Sequence, residues 1–305
     1  MTGSLVPIVV GMDAGGSKLG VRGETLDGSR VFDVEIAAPD WEATPFDRSA
    51  QWLLDHLERV VPFGFEVVAL GVGAQGCDTE QATGALEAEL LARGPRASVV
   101  NDAALLVPAA GHTSGIGVIA GTGAIAVGSS AAGDFLAAGG WGWVIGDEAG
   151  AAAIVREATK AALLADDRGE PDDGLLDALE RAFSVDTAEQ LARTVNDVPT
   201  AEHWGPRAPV VFAAADAGSA LALGVLDGAA DHLADLVTRV RRKGAVGSHV
   251  VAAGSVITGQ ARLFDGFRDR VAVAHPDLTV ELLGDKPVAG GILLARTLVP
   301  AGASA

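Results

Sequence analysis

Short apolar runs broken by glycine dominate the first hundred residues, and their length suits strands better than helices. Residues 8–13 read as a buried strand, 14–17 as a tight turn and 18–26 as a second strand. Asp27-Gly28 is a hairpin signal that leads into a third strand at 30–36. A helix fits 45–61, where Trp52, Leu53, Leu57 and Val60 share a face. A strand at 67–72 then feeds the loop Gly73-Ala-Gln-Gly-Cys-Asp78, and a helix follows over about 79–93 with Thr79 as its N-cap. The next strand, 97–100, ends at Asn101-Asp102. The pattern then restarts: strand 115–120, turn Gly121-Thr-Gly123, strand 124–129. Such a restart predicts two similar lobes. Beyond Gly139 the periodicity is largely helical, with helices at 148–165, 174–183, 187–195 and 209–243 and turn-rich acidic stretches at 166–173 and 196–206. Strands at 249–253 and 278–283 and a helix at 287–298 close the chain. The sum is an α/β protein with mixed sheets and helices packed on them.

Composition narrows the chemistry. With 305 residues, 49% of them hydrophobic and 20% charged, the chain makes one large domain or two ordinary ones. Its net charge of −18 argues against a role coating phosphates of nucleic acid, which needs Lys and Arg. An anionic ligand must therefore be held locally, by backbone N–H groups, a metal or one placed lysine. The single cysteine, Cys77, excludes an internal disulfide and a Cys-only zinc or iron–sulfur site within one chain. The N-terminus lacks a basic region before its apolar run, so a signal peptide is not expected and a cytoplasmic location is. Residues 103–133 carry no charge, but glycines and Pro108 make them read as buried strands joined by turns rather than a membrane span.

Five constellations carry chemistry. In Asp13-Ala-Gly-Gly-Ser-Lys18, glycines let the backbone approach an anion while Asp13 stands at a strand end, suited to holding Mg²⁺ through water. Gly121-Thr-Gly-Ala124 is a second such turn, with Thr122 able to donate to a phosphate oxygen. Either alone is also an ordinary hairpin; two of them about 110 residues apart favour a shared function. Asp102, at a strand end, suits a base that takes the proton of an attacking hydroxyl, or equally a helix cap. Gly139-Gly-Trp-Gly-Trp143 followed by Gly146-Asp-Glu148 offers indole faces and carboxylates to a polyol, or else an aromatic cluster at a helix start. Ala252-Ala-Gly-Ser-Val256 is compatible with a flat adenosine against small residues.

In this order, and with the closing Pro287-Val-Ala-Gly-Gly291, these motifs resemble the N-acetylglucosamine kinases of the BadF/BadG/BcrA/BcrD ATPase family, within the sugar kinase/Hsp70/actin fold. The resemblance implies a two-lobed ribonuclease H-like fold of the actin/hexokinase type, with the active site in the interlobe cleft and ATP–Mg²⁺ bound there. Residues 1–108 plus 287–305 would form the N-terminal lobe and 109–286 the C-terminal lobe. It further implies phosphate contacts from Gly15, Gly16, Ser17, Lys18, Gly121, Thr122 and Gly123, and an adenosine site at Ala215, Gly254 and Ser255. Asp102 matches the catalytic base and Asp13 the Mg²⁺ position; Asp40, Gln75, Gly140, Trp141 and Asp147 fall at or beside the sugar. A homodimer is the oligomer the resemblance suggests. Trp143 stands where a His is common, Ala149-Gly-Ala-Ala-Ala153 replaces a more polar helix start, and the 75–78 loop differs from many members. These departures leave ATP chemistry in place and keep the sugar open among N-acetylglucosamine, glucosamine, N-acetylmuramic acid and glucose. The iron–sulfur activator branch of the family needs more than one cysteine, and a non-catalytic sensor would be expected to lose Asp13 or Asp102.

Overall fold

The computed structural model describes residues 5–16 and 18–300. Two compact units divide the chain: one takes in the residues up to Gly117 with Gly128–Phe135 and the residues from Leu283, the other Val118–Val127 with Leu136–Leu282.

In the first unit, β1 (Val6–Ala14), β2 (Lys18–Thr25) and β3 (Arg30–Ala37) form an antiparallel run. Then α1 (Phe46–Val60) crosses to β4 (Phe65–Ala74), and α2 (Glu80–Leu91) crosses to β5 (Arg96–Val100). Both later strands add in parallel, giving the sheet order β3-β2-β1-β4-β5. Leu53 and Leu57 of α1, with Leu86 and Leu90 of α2, bury one sheet face together with Ile8, Val10 and Leu70. The other face receives the closing helix Val288–Thr297, and its approach is set by glycine. A Cβ built on Gly71 would lie 2.0 Å from the Gly291 carbonyl, and one on Gly11 would lie 2.4 Å from the Val288 carbonyl. Only backbone fits there, so the sheet and helix touch main chain to main chain.

After β5 the residues read as strand begin instead with a 3₁₀ turn, Asp102–Leu105, running into the four-residue α3 (Leu106–Ala109). The Asn101 side chain causes this, since its oxygen accepts the Ala103 N–H at 2.9 Å and caps the turn.

The second unit begins on β6 (Ile116–Ala120), β7 (Ala124–Ser129) and β8 (Phe135–Gly139), the last unrecognised in the sequence. Helices α4 (Ala151–Asp167), α5 (Leu175–Phe183), α6 (Ala188–Asp197), α7 (Ala201–Trp204), α8 (Ala208–Asp216) and α9 (Ala220–Arg242) follow. Strand β9 (His249–Ala253), α10 (Ser255–Gly259), α11 (Ala261–Ala274) and β10 (Thr279–Leu282) complete it. The long helix expected over 209–243 is two helices. Gly218, at φ +99°, leaves the helical region, and the Ser219 hydroxyl accepts the Ala222 N–H at 3.0 Å to start a new one. The sheet order β10-β9-β6-β7-β8 repeats that of the first unit strand for strand, so the restart in the sequence is a restart in topology. Among the described residues no single helix is long and apolar enough to cross a membrane.

Candidate active site

In the first unit the site residues gather at the carboxyl ends of β1, β4 and β5. Asp13 pairs in register with Gly20 on one side and Gly73 on the other, so the strands on both flanks present no side chain against it. The turn closes with the Gly15 N–H on the Lys18 carbonyl at 3.0 Å, and the Gln75 N–H binds the Ala14 carbonyl at 2.9 Å. The Gln75 side-chain oxygen occupies the space a Cβ on Gly16 would enter, 2.6 Å away. Ser17 lies outside the described residues. Lys18 points its amino group to Glu35 on β3 at 2.7 Å, which commits that charge to the hairpin.

Asp102 follows the cap at Asn101, whose side chain is 2% exposed and whose amide also donates to Asp78 at 2.7 Å. Burial raises the Asp102 carboxyl to about 6, helped by Asp78 and opposed by backbone N–H groups. Burial likewise raises Asp13 to about 7, with Asp102 and then Glu35 adding repulsion. Two neighbouring carboxylates, both raised by burial and one of them by the other's charge, form a donor set suited to a hard divalent cation. Asp40 is placed differently: its carboxylate accepts the Trp52 indole N–H at 3.1 Å. Its neighbour Trp41 donates to the Gln75 carbonyl at 3.2 Å and so ties that segment to the 75–78 loop. Cys77 is buried and its thiol is pushed up to about 11, an inert side chain rather than a nucleophile.

In the second unit the Gly121 N–H binds the Gly123 carbonyl at 3.0 Å, which makes the turn, and the Gly121 carbonyl accepts the first N–H of α4, from Ala151, at 2.8 Å. Thr122 is exposed at the tip. Asp147 sits against this turn with φ +57°, 6% exposed, and a Cβ on Gly123 would fall 2.6 Å from its Oδ2. Burial raises the Asp147 carboxyl, and its Oδ1 has no hydrogen-bond partner. A buried, strained, half-satisfied carboxylate is costly to keep and points to a ligand's donor. Gly254, at φ +109°, lies against Ala120: a Cβ there would meet the Ala120 carbonyl at 2.4 Å, and Gly121 faces the Ser255 N–H. The structure thus brings Gly121, Gly123, Asp147, Gly254 and Ser255 together. Ala215 is not exposed to join them; it is buried within α8.

The Gly140-Trp141 stretch leads away from the turn. Trp141 is 73% exposed and Val144 and Ile145 are exposed beside it, whereas Trp143 packs on Trp204 with ring centroids 5.0 Å apart. The helix expected from Glu148 starts only at Ala151, because Asp147 in the left-handed region keeps 147–150 in a turn. Two residues unremarked in the sequence hold this segment. The Arg156 guanidinium on α4 donates to the Trp143 and Gly146 carbonyls, and His232 on α9 stands 3.1 Å from a Glu148 oxygen. The arginine had a faint signal, the first base in the helix after a glycine loop; the histidine had none.

Residues 64–291 match the BadF/BadG/BcrA/BcrD ATPase family. The chain belongs to that family. An N-acetylmuramic acid/N-acetylglucosamine kinase of Clostridium acetobutylicum is 27% identical over 95% of this chain and 98% of its own. An N-acetyl-D-glucosamine kinase of Dictyostelium discoideum is 24% identical over 94% and 97% of the two chains. Among solved structures, a candidate N-acetylglucosamine kinase from Chromobacterium violaceum superposes with a TM-score of 0.72 at 24% identity, covering 96% of this chain and all of the other. A Streptomyces griseus glucokinase of the ROK family, solved with glucose and AMPPNP, gives 0.60 at 18% identity, covering 95% and 99%. The expected actin-like sugar-kinase fold is therefore the fold observed.

Proposed function

We propose that this protein is an ATP-dependent kinase that phosphorylates an amino sugar at its 6-hydroxyl, N-acetylglucosamine to N-acetylglucosamine 6-phosphate. The observation that carries the reading is Asp102: a largely buried carboxyl, raised to about 6 and fixed by the Asn101 cap, next to a second raised carboxylate at Asp13. A base so tuned is ionised at neutral pH yet basic enough to share a proton with an attacking hydroxyl. Family membership and two relatives named as kinases of N-acetylated amino sugars support the same reaction class.

In the first unit, Asp102 accepts the proton of the sugar's 6-hydroxyl as the oxygen attacks the γ-phosphorus, and the 13–18 turn offers backbone N–H groups to phosphate. Asp13 fits as the residue that holds Mg²⁺, which when bound offsets the charge of the nucleotide phosphates. In the second unit, the Gly121–Gly123 turn and Thr122 hydroxyl take phosphate, the Gly254-Ser255 turn takes adenosine, and Asp147 accepts from sugar hydroxyls. Gly140 and Trp141 are the further sugar contacts proposed for this unit, and Asp40 and Gln75 those proposed for the first unit. A homodimer in the cytoplasm belongs to the same proposal, and light scattering on the purified protein tests its first half.

The direct test is ADP release from Mg²⁺–ATP with N-acetylglucosamine, glucosamine, N-acetylmuramic acid, glucose or no sugar. Stimulation by an N-acetylated sugar is the expected result. Turnover independent of sugar, or none with any, overturns the kinase reading for this panel.

A further inference from the structure

One face of α9 touches the glycine-rich segment at both ends. Leu236 fills the space above Gly139, where an added Cβ would lie 3.1 Å from its methyl groups. One turn earlier, His232 lies 16% exposed with its Nδ1 3.1 Å from Glu148 Oε2. Spacing of four residues puts the two side chains one above the other on the helix. Glu148 follows Asp147, whose φ of +57° lies in a region that surrounding contacts must enforce. Glu148 Oε2 is a buried atom with no in-line hydrogen bond, and so is His232 Nε2. The imidazole and the carboxylate are thus in contact but not aligned for a linear hydrogen bond.

We infer that His232 is a positioning residue for the sugar-binding carboxylate: its ring, 3.1 Å from Glu148, holds that side chain and with it the turn that aims Asp147. The inference rests on the sugar-kinase reading for its kinetic half only. Burial lowers the His232 pKa and Arg239 lowers it further, while Glu148, Asp235 and Asp147 oppose them, and the net shift favours the neutral ring. A neutral ring that donates to Glu148 must carry its proton on Nδ1, which leaves Nε2 as an acceptor. Asn in place of His puts an amide N–H near the position of Nδ1, while Leu keeps the volume and removes the donor.

The test compares wild type, His232→Leu and His232→Asn. With the sugar that wild type phosphorylates best, His232→Leu should raise the KM for sugar about tenfold, the value of a lost hydrogen bond to a charged group. The KM for ATP and the thermal midpoint should stay as in wild type, and His232→Asn should recover most of the loss. Amide hydrogen exchange without ligand gives a second readout, independent of turnover: residues 139–148 should exchange faster in His232→Leu and near the wild-type rate in His232→Asn. Unchanged exchange in that segment overturns the inference whether or not any sugar is a substrate. So does a KM for ATP that rises in parallel with that for sugar. Failure of wild type to respond to any sugar would instead strike the kinase reading alone, with the exchange experiment still deciding the role of His232.

Discussion

Asp102→Asn should make the protein both inactive and more stable, because the charge proposed as the base is one the fold holds at a cost. In the folded protein the carboxyl titrates at about 6 against an ordinary 3.8. At about 1.36 kcal/mol per pH unit this corresponds to about 3 kcal/mol of native-state destabilisation where both states are ionised. The residue as a whole is half-buried, which brings the expected figure to about 1–3 kcal/mol. The sign follows from the raised acid: the folded state prefers the neutral form, so the penalty is absent below pH 3.8, grows through about pH 6 and is constant above it. Asparagine keeps the shape and an acceptor for the backbone N–H groups but carries no charge. Urea unfolding at pH 8 should therefore show the variant more stable by that amount, and at pH 4 nearly equal to wild type. Magnesium ion should narrow the gap at pH 8, since a cation at Asp13 relieves the repulsion in wild type. Turnover should fall by a factor on the order of 10² or more, the usual loss with a general base. A gain that is the same at pH 4 and pH 8, a loss of stability at pH 8, or near-normal turnover would each refute the reasoning.

Other perturbations probe the scaffold and the turns. Gly71→Ala puts a Cβ 2.0 Å from the Gly291 carbonyl and should cost about 3 kcal/mol or more in urea unfolding, because both partners are backbone. Gly123→Ala presses on Asp147 Oδ2 at 2.6 Å and should raise the sugar KM about tenfold or more while far-ultraviolet circular dichroism stays as in wild type. Arg22 bridges Asp33 and Asp285, at 2.9 and 2.7 Å, and its hydrogen bonds hold Asp285 down to about 2. Arg22→Met should cost about 1–3 kcal/mol at pH 7, allowing for the half-exposed Asp285, and the difference should shrink as pH falls from 4 toward 2. The direction follows because a depressed carboxyl stabilises the fold above its unfolded pKa and loses that effect as it protonates.

Most strands and turns were legible because the chain marks them with glycine: Asp27-Gly28, Gly121-Thr-Gly123 and Gly254-Ser255 each stand where a strand stops. The repeat of topology was legible for the same reason, as a strand–turn–strand pattern met twice. What periodicity could not show was competition by side chains for the backbone. Asn101 captures the Ala103 N–H and turns an apolar run into a 3₁₀ segment, while Ser219 captures the Ala222 N–H and splits one apparent helix. The site divides along the same line. Residues tied to strand ends, Asp13, Asp102 and Gly123, were readable from position, whereas Arg156 and His232, which hold the 143–148 segment of the second unit, come from helices and meet that segment only through the fold.

This division has a physical origin in how each unit keeps its strand ends still. In the first unit the sheet and the closing helix meet through Gly11, Gly71 and Gly291, contacts of backbone on backbone that leave no rotamer to rearrange. Rigidity of that kind is what lets the strand ends carry groups that would otherwise move apart, namely two repelling carboxylates at Asp13 and Asp102. In the second unit a left-handed Asp147 with an unpartnered oxygen is held beside the Gly121–Gly123 turn. Strain at Asp147 is confined by side chains instead, Arg156 from α4 and His232 with Leu236 from α9, while Trp141 between the anchors stays exposed. A carboxylate held by side chains can be re-aimed by changing one of them; a carboxylate held by packed backbone cannot. Sugar preference within the family should accordingly be easier to shift from α4 and α9 than from the sheet that presents Asp102.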